Sequence, residues 1–201
     1  MPKIPAARAA KTAPATPVRQ PGPAATPARQ PGTSPRREPG IVSSSHLVSP
    51  RSTELSELEF GLIVAWNAFS RWAVRCMAAA GCPDLTITDV LLLHHLNHRA
   101  RNKKIADICF VLNYEDTHVV AYSLKKLVAG GLVRAEKQGK EVFYSPSPDG
   151  EAFVGKYREI REACLVANLD VERNADIGEL ARLMRTMSGL YDQAARAASS
   201  L

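Results

Sequence analysis

His118, Tyr122 and Lys125 recur at spacings of four and three, which places them on one side of a single helix. Their chemistry is that of contact with a polar, anionic surface. An imidazole donates or accepts a hydrogen bond, a phenol does both, and a lysine ammonium donates three while carrying charge. Val120, Leu124 and Leu127 repeat on the opposite side, so one helix would bury an apolar stripe and turn a wet, cationic one outward. Ala129 shares the outer face, with Glu115 and Lys126 beside it. In a nucleic-acid groove, Lys125 suits the O6 and N7 of guanine, and His118 suits either a donor or an acceptor edge. No phosphate-cradling glycine loop, nucleophile elbow or paired-acid motif accompanies these residues, so the chain is expected to be neither an enzyme nor a cofactor carrier.

The elements around this helix must hold it in place. Gly130-Gly131 is expected to end it with a left-handed glycine C-cap. Upstream, Thr86-Ile-Thr-Asp89 is a capping-box pattern that opens a helix running to about Asn97. Asn102 is the expected cap of a third helix that contains Ile105, Ile108, Cys109 and Leu112, and a brief turn at Asn113-Tyr114 leads into the fourth. Two short helices joined so tightly make a helix-turn-helix. Downstream, Leu132 to Lys137 and Glu141 to Ser145 read as strands about a Gln138-Gly139 turn, with Lys137 and Lys140 at the tip. The expected fold class is mainly α with a small β-hairpin, a winged helix-turn-helix. Arg99, Arg101, Lys103, Lys104, Lys126 and Lys137 are candidates for holding phosphates, and Lys140 for reaching a minor groove.

Charge is segregated along the 201 residues. The first forty hold ten of the fourteen prolines and seven Lys or Arg against one acid, a net +6 that equals the charge of the whole chain. Residues 1–50 are expected to be a disordered basic tail that contains the near-repeat Thr16-Pro-Val-Arg-Gln-Pro-Gly22 and Thr26-Pro-Ala-Arg-Gln-Pro-Gly32. The tail's Arg- and Ala-rich start imitates a transit peptide, but its prolines oppose the amphipathic helix that such a peptide needs. The remainder is neutral overall and unevenly charged. From His98 to Lys140, nine Lys or Arg face four acids, whereas the flanking stretches are net acidic. Cys76, Cys82, Cys109 and Cys164 form no CxxC pair and read as buried thiols in a reducing cytoplasm. No run of eighteen apolar residues is present to span a membrane.

Long helices flank the basic block. From Thr53 to Ala80, the residues Leu62, Trp66, Phe69, Ala73, Cys76 and Ala80 alternate at four and three, a seam of coiled-coil type. Ser147-Pro148 opens another helix whose stripe is Phe153, Tyr157, Ile160, Cys164 and Ala167, and the last helix carries Ile177, Leu180, Met184, Met187 and Tyr191. A small winged-helix core cannot cover all three stripes, and a second copy of the chain would cover the remainder. The expected division is a domain over 51–201, with a reading part at about 86–146 and dimerisation helices at about 53–80 and 148–200.

In this order of parts, with Gly131-Leu132-Val133 opening the hairpin and Ser147-x-x-Gly150 after it, the chain resembles the MarR family of winged-helix transcription regulators. The resemblance spans roughly Thr53 to Leu201. It implies a homodimer with interlocked first and last helices, the fourth helix in the major groove, and the wing at the minor groove of double-stranded DNA. It also implies a small-molecule effector between the dimer helices and the reading head, where Trp66, Phe69 and Trp72 are candidate lining. The chain departs from the family at His118, Val119, Ala121 and Tyr122, where Ser, Thr and Arg are usual, and at Gly139-Lys140, where the wing tip commonly shows Asp and Arg. Two alternatives stand beside this reading. One is a winged-helix module for protein contacts without sequence-specific DNA binding. The other is a metal- or redox-responsive regulator that uses His94 and His98, with His95 and Cys109 near, or Cys76 or Cys82.

Overall fold

The computed structural model describes residues 49–98 and 102–201. The proline-rich arm through residue 48 lies outside them, as do Arg99 and Arg101. The described chain runs α1 (Thr53–Ala80), α2 (Ile87–Asn97), α3 (Ile105–Leu112), α4 (Thr117–Ala129), β1 (Val133–Gln138), β2 (Glu141–Pro146), α5 (Pro148–Cys164) and α6 (Asn174–Ala198), with two short 3-10 turns between α5 and α6. This is the mainly helical winged helix-turn-helix that the sequence leads one to expect. No described helix is long and apolar enough to cross a membrane.

Local chemistry sets the helix ends. The Ser52 hydroxyl accepts from the Leu55 amide to start α1, and Gly81 closes it at φ 114°, in the left-handed region that glycine alone enters without penalty. Thr86 and Asp89 form a complete capping box at the head of α2. The third helix differs from expectation at its start. Lys104, not Asn102, is its first flanking residue, and the Asp107 carboxylate accepts from the Lys104 amide. The reason lies across the chain: Lys103 exchanges backbone hydrogen bonds with Tyr144, N to O at 2.9 Å and 2.8 Å, so it is held as an extra rung beside β2 and the helix cannot begin earlier.

At the end of α4, the residue with positive φ is Gly131, at 73°, whereas Gly130 sits at −78°. The Leu132 amide reaches back to the Leu127 carbonyl at 3.0 Å, which turns the chain sharply into the hairpin. The antiparallel register runs from Val133 opposite Pro146 to Gln138 opposite Glu141. The two loop residues are therefore Gly139 and Lys140, one position beyond the expected Gln138-Gly139 turn. Gly139 at φ 63° with Lys140 at negative φ makes a II′-type turn, whose twist matches that of the strands it joins.

The core gathers the C-terminal half of α1 (Ala73, Cys76, Met77, Ala80), α2 (Val90, Leu92, Leu93, Leu96), Ile108 and Cys109 of α3, Val120, Leu124 and Leu127 of α4, and Tyr157 of α5. The expected α1 seam is thus divided. Its lower half packs within the chain, while Leu62, Trp66 and Phe69 remain exposed. No residue of α6 is buried. The α5 stripe likewise reaches the core only through Phe153, Tyr157 and Ile160. The thiols also depart from expectation: Cys76 and Cys109 are buried and Cys82 is half-buried, but Cys164 is exposed, because α5 has left the core by that point.

Gly150 marks the tightest approach in the fold. The Ser147 hydroxyl accepts from the Gly150 amide at 3.0 Å and donates to the Gly131 carbonyl at 2.6 Å, which draws the first turn of α5 onto the start of the wing. A Cβ on Gly150 would collide with the carbonyl oxygen of Leu132. Gly150→Ala is therefore expected to cost about 3 kcal/mol in urea unfolding. Gly155→Ala, on the same helix with open space around it, is expected to stabilise by about 0.5 kcal/mol or more.

Candidate nucleic-acid interface

The recognition-type helix α4 begins at Asp116, whose carboxylate accepts from the His118 amide at 2.8 Å. One side of α4 is sealed: Val120, Leu124 and Leu127 have no exposed surface. The other side presents His118, Val119, Tyr122 and Lys125 to solvent, with Tyr122 at 75% exposure. The structure thus brings the three residues expected to face bases onto one open face.

The rotation of that face is set by a polar group that the sequence reading took only for a cap. Asp89, 2% exposed, accepts at Oδ1 from the Ser123 hydroxyl of α4, and at Oδ2 from the Thr86 amide at 2.8 Å and the Lys126 ammonium at 2.7 Å. Lys126 also donates to the Asp84 carbonyl at 2.7 Å. Burial by itself would raise the Asp89 carboxyl. The hydrogen bonds from Lys126, Ser123 and Thr86 together outweigh that effect and hold it below the usual carboxylate range. The available signal was Ser123, a hydroxyl within the apolar stripe of α4 that needed a buried partner.

The cations expected at phosphates occupy different situations. Lys126 is committed to Asp89 and Asp84. The Lys103 ammonium donates to the carbonyls of Leu96 at 3.1 Å and His98 at 2.8 Å, where it closes the C-terminal end of α2. Lys104 pairs with Glu141 at 2.6 Å and lies 5.3 Å above the Phe143 ring, which ties α3 to the wing. Both members of that pair are substantially exposed, so an approaching phosphate competes with Glu141 at little cost. Lys137 on β1 and Lys140 at the hairpin tip are exposed.

The histidines of α2 are arranged for packing. The His94 ring meets Tyr157 edge-on, with centroids 4.3 Å apart, and its Nε2 is buried without a hydrogen-bond partner. Burial pushes the His94 pKa down, and burial with Lys103 and His98 nearby does the same to His95. Among the described residues, no group of three or more potential metal ligands converges. Burial likewise raises the Cys76, Cys82 and Cys109 thiols, which makes them less reactive.

Residues 85–150 match the family profile described as a winged helix DNA-binding domain. No curated protein matches the chain. Among solved structures, AbfR of Staphylococcus epidermidis aligns with a TM-score of 0.57 at 18% identity, over 68% of this chain and 92% of that one. A MarR-family transcriptional regulator from Rhodococcus sp. RHA1 aligns at 0.56 and 9% identity, over 68% and 95%. RV1404 from Mycobacterium tuberculosis aligns at 0.52 and 15%, again over 68% and 95%. At these identities the likeness is one of fold.

Asp89→Asn removes the charge while keeping the shape. With one end of its lysine partner in solvent, the substitution is expected to cost about 2–3 kcal/mol in urea unfolding at pH 7. The native carboxyl titrates lower when folded than when unfolded. Its contribution is therefore full above the ordinary carboxylate range and is lost as pH falls through the folded value. The difference between native protein and variant should shrink over that acid interval.

Proposed function

We propose that this chain, a winged-helix protein of MarR-like fold, is a homodimeric transcription regulator that reads duplex DNA with α4 in the major groove and the β1–β2 wing at the minor groove. The observation that carries the reading is the open face of α4. Hydrogen-bonding and cationic side chains stand outward on a helix whose other side is fully sealed, beside a hairpin with Lys140 at its tip. His118, Tyr122 and Lys125 meet base edges, while Lys104 and Lys137, together with Arg99 and Arg101, hold phosphates.

The dimer is supported by the apolar surface left open. Phe60, Ile63, Trp66 and Phe69 on α1 and Ile177, Leu180 and Leu183 on α6 are all exposed within one chain. Trp66 and Phe69 stand 6.1 Å apart, ring to ring, and about half of each is left exposed among the described residues. A second copy covers both stripes and sets two reading heads at a fixed separation. A cleft of about 340 Å³ lies between α1, α6 and the turn after α3, large enough for a small effector. Leu58, Leu62, Met184 and Met187 line it, with Asn113 and Asp192 at its polar end, in place of the expected Trp66, Phe69 and Trp72.

Binding of the full chain to random-sequence duplex tests the electrostatic part. With about six phosphate contacts per dimer, log affinity against log salt should have a slope near −5, reduced by nearly two in each of Lys137→Ala and Lys140→Ala, since either substitution removes a lysine from both protomers. A slope near zero would overturn the reading. In sedimentation, Phe69→Glu should convert a dimer to a monomer, since it places a charge in the middle of the shared apolar face.

A further inference from the structure

Val119 is the third residue of α4, in the turn nearest the bases when such a helix enters the major groove. Its side chain is 43% exposed and lies outside the core cluster. Val120, one position on, carries the packing with no exposed surface. The fold thus makes only partial use of an apolar group at 119, which stands in the first turn of α4 beside His118 and heads the stripe that continues through Ser123 and Lys126. A branched hydrocarbon can neither donate nor accept, and the one apolar feature that a base pair displays in the major groove is the 5-methyl of thymine. Lys125 on the same helix and Lys137 and Lys140 on the wing, all exposed, favour a polyanion as the occupant of this surface over an apolar protein face.

Resting on the DNA reading above, we propose that Val119 is a specificity-determining residue that recognises the 5-methyl group of a thymine, so that preferred sites place a T·A pair beneath the start of α4 in each half-site. The open face of α4 then reads sequence partly by hydrocarbon contact, with fewer hydrogen bonds than a face of Ser, Thr and Arg would make.

The test selects duplexes bound by the full chain from a random pool, then replaces each thymine of the best duplex by uracil, which removes the methyl and leaves the base pairing intact. Uracil at the sensitive position of a single half-site should weaken binding about fourfold, the value of one methyl taken out of water. Val119→Ser should bind the thymine and uracil duplexes equally, whereas Val119→Thr, which keeps one γ-methyl, should retain part of the difference. Since the residue is exposed, all three proteins should melt together. If wild type tolerates uracil at every position, or if Val119→Ser shows the same penalty as wild type, the assignment is overturned. A normal salt slope with uracil tolerated sinks only the role of Val119. A slope near zero sinks the DNA reading and this inference with it.

Discussion

A carboxylate withdrawn almost wholly from water governs the reading head. Asp89 is a buried carboxylate in the first turn of α2, and its charge is tolerable there only when both oxygens are hydrogen-bonded. Three donors on two elements meet it: the Thr86 amide at the head of α2, and Ser123 and Lys126, three residues apart on α4. Because Ser123 and Lys126 must both point at Asp89, α4 has no freedom to rotate about its own axis. The identity of its outward residues follows from that constraint. His118, Val119, Tyr122 and Lys125 face solvent because the opposite side is pinned by hydrogen bonds as well as by apolar contact.

The same economy of contacts explains where positive charge remains available. The basic block carries many cations, but the fold uses several of them internally. Lys103 closes α2, Lys104 bridges α3 to the wing, and Lys126 neutralises Asp89. What stays on the surface of the described residues is a sparser set, with Lys125 on the helix and Arg134, Lys137 and Lys140 on the hairpin. Charge on this surface is therefore a matter of position, and the net count along the chain overstates it.

A second link runs from the reading head to the last helix. Asn113, at φ 55°, makes the turn between α3 and α4, and its amide donates to Asp192 and Ser188 of α6 at 3.3–3.4 Å. The Tyr191 hydroxyl donates to Glu59 of α1 at 3.2 Å. The turn that sets the angle between the two helices of the reading unit is thereby joined to the elements whose apolar faces stand open. The cleft between them lies at this junction.

The elements were legible in the sequence because their causes are local. The α1 boundaries follow from Ser52 and Gly81, the capping box from Thr86 and Asp89, the α5 start from Ser147-Pro148, and the buried stripe of α4 from the spacing of Val120, Leu124 and Leu127. Each signal lies within a few residues of the feature it specifies, and a helical period is enough to read it. What the tertiary structure alone decided involves partners distant in the chain. Tyr144 delays the start of α3 by pairing with Lys103, Leu132 requires a glycine at position 150, and Asp89 draws in Ser123 and Lys126 from more than thirty residues away. A lysine in a sequence is a charge of unknown occupation. Only when the chain closes on itself do Lys103 and Lys126 find oxygens within 3.1 Å, while Lys125, one residue from Lys126, is left facing outward.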